Sequence, residues 1–117
     1  MNSVHNLRIL PTQQAINSVA ALSQEFNSES FNLSLFLIKL KETIIESEFM
    51  SGQNNALWMS KRGTDFLANP KLFACAPLTY ICVFLGEVFH NAEVKEIQER
   101  IPLAVIQHAL TRLDDFK

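Results

Sequence analysis

The chain has 117 residues, 48% of them hydrophobic and 19% charged, with a formal net charge of −2. That length suits one domain with a genuine core, and the composition excludes an extended disordered chain. The ten basic residues are scattered and the pI is near 5.9, which argues against nucleic acid as a partner.

Residues 1–11 read as an N-terminal arm, because Pro11 stops any helix at Leu10. They lack the basic and apolar regions of a signal peptide. Thr12 is placed to cap a helix over about 12–26, where Ala15, Ile16, Val19, Ala20, Leu22 and Phe26 recur at helical spacing. Asn27, Ser28 and Ser30 break it.

The next helix is predicted over about 31–49. Leu33, Phe36, Leu37, Leu40 and Ile44 form one apolar stripe. Leu35, Ile38, Ile45 and Phe49 form a second beside it. Together they make an arc wider than one packing partner usually covers. Either the helix is central, or part of the arc meets another chain.

Ser51-Gly52-Gln53-Asn54-Asn55 has the composition of a loop. A short helix over about 55–62 follows, with Lys61 and Arg62 in its last turn and Gly63 as its stop. Arg62 lies four residues after Trp58, within reach of the indole face. Trp58, Lys61 and Arg62 together are a candidate protein-binding spot, since Trp and Arg dominate such sites. The alternative is a core tryptophan beside a basic helix end. Asn69-Pro70 reads as a helix start leading to about Cys75.

The stretch from Leu72 to Gly86 carries no charge. Its 15 residues fall short of the ~20 needed to span a bilayer, and Pro77 interrupts it. Its β-favouring residues have no second strand to pair with, so a buried central helix over about 77–90 is predicted, with Thr79, Gly86 and His90 on one narrow polar stripe. Cys75 and Cys82 both fall in this apolar stretch and read as buried free thiols, consistent with a reducing cytoplasm.

Glu93 to Arg100 forms a short charged helix with Val94, Ile97 and Ile101 inward, and Pro102 opens a last helix with a regular apolar face. Glu93, Glu96 and Glu99 give an acidic face. It reads first as solvated surface and second as a docking patch for a basic protein.

No nucleotide loop, nucleophile elbow or metalloprotease motif is present in the sequence. Cys82 and His90, eight apart, allow a thiol–base pair or two metal ligands, with His108, Cys75 or acidic residues to complete the set. The simpler reading is a buried thiol and a histidine satisfying a carbonyl. The expected fold is an all-α, compact single-domain bundle of about six or seven short helices spanning 1–117. The expected role is a cytoplasmic, non-catalytic protein-binding module: an inhibitor, an immunity or antitoxin-like protein, an anti-activator or an adaptor. Its contacts fall on Leu35, Ile38, Trp58, Lys61, Arg62, Glu93, Glu96 and Glu99, with homodimerisation as a corollary and no catalytic residue, metal, cofactor, nucleic acid or membrane involved. A small apolar ligand held among Trp58, Tyr80, Phe84 and Phe89 is the alternative, and a small metal-dependent enzyme a more distant one.

Overall fold

The computed structural model describes residues 10–49 and 58–117, and among them the secondary structure is helical without strands. The described residues hold six α-helices joined by tighter or wider turns: α1 (Gln13–Ala20), α2 (Leu33–Glu46), α3 (Thr64–Ala68), α4 (Leu78–Asn91), α5 (Val94–Arg100) and α6 (Leu103–Asp114). The fold is all-α, as the sequence implies.

Helix α4 is the centre. Ile81, Cys82, Val83, Phe84, Leu85, Gly86, Val88 and Phe89 are all buried on it. A helix bonds its own N–H and C=O groups, so a segment this apolar can be enclosed without orphaned backbone. Helices α2, α5 and α6 pack against it, and α6 also packs on α1 and on the 3₁₀ segment Pro70–Cys75. Phe73 from that segment meets Phe84 edge-on, ring centroids 5.2 Å apart. Among the described residues every buried side chain is apolar.

The starts of the helices follow local chemistry. The Thr12 hydroxyl accepts the Ala15 N–H at 3.1 Å, and the Asn32 side chain accepts the Leu35 N–H at 3.0 Å. Pro77 and Pro102 stand just before α4 and α6, where no N–H is needed.

Several boundaries differ from expectation. The first helix tightens at Ala21 into a 3₁₀ turn running to Asn27. Its apolar side there is Leu22 and half-buried Phe26, which turns inward to meet Phe31 and Phe36. Gly63 is not a helix stop. Its backbone is right-handed, and a π-helical turn over Met59–Gly63 runs directly into α3. The continuation carries Phe66 inward, where it stacks on Phe73 at 4.4 Å. Positions 55–57 of the helix expected at 55–62 lie outside the described residues. Cys75 is exposed rather than buried, because it ends the 3₁₀ segment facing outward, whereas Cys82 is enclosed.

Helix α2 ends at Glu46, earlier than the periodicity to Phe49 suggests, and the cap explains why. The Phe49 N–H bonds the Ile44 carbonyl at 2.9 Å and the Glu48 N–H bonds the Ile45 carbonyl at 3.1 Å. Glu48 between them has φ 59°, in the left-handed region. This is a Schellman cap, with fully buried Phe49 against Ile44 as its apolar contact. Glycine usually fills that left-handed position at no steric cost. Glu48→Gly is therefore expected to raise stability by up to about 1 kcal/mol, and Glu48→Val to lower it by about 1–2 kcal/mol. A shift of the urea midpoint at constant m would measure both.

Candidate functional site

Packing divides α2 into two faces. Phe36, Leu37, Leu40 and Ile44 are buried against the domain. The second stripe stays outside: Leu35 is 65% exposed, Ile38 42% and Ile45 45%. Phe49 alone of that stripe is enclosed, through the cap just described. Leu35, Ile38 and Ile45 thus form an apolar ridge along the outer side of one helix. Covering each is worth on the order of 1 kcal/mol, as only part of each side chain remains to be buried.

Charged side chains flank the ridge. Lys39 and Glu46 run along one side of it, and Glu42 falls within it, between Ile38 and Ile45. Lys39 pairs with Glu25. On the other side the Lys41 ammonium donates to the Ala92 carbonyl at 2.7 Å and lies 3.8 Å from Glu93. Lys41 thereby ties α2 to the turn before α5. A groove of about 300 Å³ follows that junction, lined by Ile38, Lys41, Glu42, Ile45, Glu46 and Val94. A second hollow of about 280 Å³ opens at the other end of the ridge, between Phe31, Leu35 and Lys39.

Of the other predicted contact residues, Glu93 reaches the ridge through Lys41, whereas Trp58, Lys61 and Arg62 lie elsewhere. Trp58 is half-buried. Its ring stacks on Phe66 at 6.1 Å and meets Tyr80 edge-on at 5.6 Å. Lys61 and Arg62 are exposed on the π turn beyond it. The cation–π contact described in this structure is a different one, Arg112 over Phe116 at 4.8 Å. Glu93 and Glu96 form the capping box of α5, in which Glu96 accepts the Glu93 N–H at 3.2 Å. Their carboxylates serve the positive end of that helix. Glu99 is exposed on the same helix.

His90 Nε2 sits 3.0 Å from the Phe49 carbonyl. With its proton on Nε2 the ring donates to that oxygen, which joins the end of α2 to α4. Burial pushes the Cys82 thiol from an ordinary 9.0 up to about 12. A thiol held protonated in this way is a poor nucleophile. Among the described residues no group of three or more His, Cys, Asp and Glu side chains lies close enough to hold a metal ion. Phe84 and Phe89 are fully buried, while a surface groove of about 390 Å³ lies between Met59, Val88, Ile97 and Ile101.

Three residues that matter here were not singled out as contacts from the sequence. Ile45 was legible as part of the second stripe. Lys39 and Glu42 carry no signal of their own in the sequence, and it is the fold that places them at the exposed stripe. No helix among the described residues is long and apolar enough to cross a membrane. No known protein family, curated protein or solved structure matches the chain.

Proposed function

We propose that this chain is a non-catalytic module that acts by direct contact with another protein, as an inhibitor, an immunity or antitoxin-like protein, an anti-activator or an adaptor. It works in the cytoplasm, and as a homodimer. The observation that carries the reading is the ridge of Leu35, Ile38 and Ile45, three large apolar side chains in line on one helix and open to water. Large apolar side chains left open to water and interleaved with charge are common in protein contact sites.

The test is a double substitution, Leu35→Glu with Ile45→Glu. Neither side chain belongs to the core, so the melting temperature should move little. Affinity capture from extract of the source cell, followed by binding of the purified captured protein, should show at least a tenfold loss of affinity with the variant. Equal binding by both forms would remove the ridge from the contact.

A further inference from the structure

We infer that the last turn of α2 is a conformational switch with two positions. In the one described above, α2 stops at Glu46 and Phe49 lies in the core. In the other, the helix continues through Phe49 and sets that ring at the end of the apolar ridge. The second position builds on the protein-contact reading of the ridge, whereas the switch itself belongs to the isolated chain.

Glu48 is the strained residue. Its φ of 59° is the sole positive value among the described non-glycine residues. A β-carbon is disfavoured there, and an observed outlier of this kind points towards function. Glutamate is also a good helix former, whereas the left-handed position favours glycine or asparagine. Glu46-Ser47-Glu48-Phe49 contains no glycine, proline or asparagine, so nothing in its own chemistry ends a helix. The local preference is to continue, and tertiary contacts impose the stop. Conflict between local preference and fold is expected at functional positions.

Two contacts hold the stop in place. Phe49 is fully buried, and its carbonyl oxygen lies 3.0 Å from His90 Nε2 on α4. Moving to the second position leaves no backbone N–H orphaned. The Phe49 N–H now bonds the Ile44 carbonyl and the Glu48 N–H the Ile45 carbonyl. In a continued α-helix the two donors exchange these same carbonyls, Glu48 taking Ile44 and Phe49 taking Ile45. The left-handed strain is released in the exchange. Phe49 then follows Ile45 by four residues and Ile38 by eleven, which is the same stripe at helical period. The ridge gains its largest apolar side chain. Lost burial of that ring keeps the second position a minority, on the order of 1% of molecules. Contact with all four side chains would select it.

Carbon-13 relaxation dispersion on the purified chain reads the exchange with no partner present. Ser47, Glu48 and Phe49 should exchange with a minor state on the microsecond-to-millisecond scale, in which the Glu48 Cα shift is helical. Glu48→Gly favours the left-handed stop and disfavours the helix, so it should lower the minor population about fivefold or more. His90→Ala removes the donor to the Phe49 carbonyl and should raise that population about fivefold. Circular dichroism checks that both variants are folded. Flat profiles at these three residues in both wild type and His90→Ala overturn the switch. A minor state in which Glu48 has the shift of a disordered chain also overturns it, as does one that Glu48→Gly leaves equally populated. Should His90→Ala not fold, wild type against Glu48→Gly decides alone. The capture assay with Leu35→Glu and Ile45→Glu is a separate measurement, so failure of the switch and failure of the protein-contact reading are told apart.

Discussion

Phe84→Ala is expected to cost about 3–5 kcal/mol of unfolding free energy. Phe84 is fully buried on α4, the helix that the other elements surround. Its ring is met edge-on by Phe73, which in turn stacks on Phe66. Truncation removes one member of this series and leaves a cavity that helices fixed on several sides cannot close. Domains of this size have only about 5–15 kcal/mol in total, so a large unfolded fraction follows at mild denaturant. Urea unfolding followed by circular dichroism reads the loss directly. Leu35→Ala is the contrasting control, expected to lie within about 0.5 kcal/mol of wild type. A Phe84 loss as small as that of the control would mean that the core is not organised around α4.

Alkaline pH should destabilise the protein through Cys82. The thiol titrates near 9.0 when exposed and near 12 when enclosed in α4. The folded state therefore holds its proton in a range where the unfolded chain has released it. The associated stability is complete below about pH 9 and is lost as pH rises towards 12. Full linkage sets the slope at about 1.4 kcal/mol per pH unit. The measurement compares slopes between variants. Cys82→Ala should flatten the alkaline limb, whatever its cost at neutral pH, and Cys75→Ala should leave it unchanged, since that thiol is exposed. Identical slopes in wild type and Cys82→Ala would contradict the burial argument.

The parts of the fold that were legible in the sequence are those governed by local chemistry. Thr12 as a cap, the restarts at Pro77 and Pro102, and the charge-free central helix all follow from rules acting within a few residues. What was hidden depends on partners distant in sequence. Nothing near Gly63 reveals that the chain must continue helically to deliver Phe66 to Phe73. Nothing near Glu48 announces a left-handed residue, because glutamate is an uncommon occupant of that position. Its role is set by Phe49, whose ring goes into the core and whose carbonyl faces His90 across 41 residues. Cys75 and Cys82 have similar apolar neighbours in sequence, yet opposite exposures, since one ends a 3₁₀ segment and the other is mid-helix.

The candidate site divides in the same way. Periodicity alone shows that α2 has more apolar surface than one side can use. It does not show which stripe is left over; that is decided by how α1, α4 and α5 close over the helix. Glu93 and Glu96 illustrate the reverse case. As a sequence they read first as a solvated face and second as a docking patch, and the fold adds a local role, since their carboxylates cap the start of α5.

Trp58 and Tyr80 are the sole tryptophan and the sole tyrosine in the chain, and the fold sets their rings 5.6 Å apart. The protein thus contains one optical donor and one acceptor, at a separation where energy absorbed by the phenol passes efficiently to the indole. The pair bridges the π turn and the first turns of α4. Tyrosine emission is therefore quenched while that junction is intact and recovers when it opens, giving the native chain an intrinsic gauge of its own assembly without any added label.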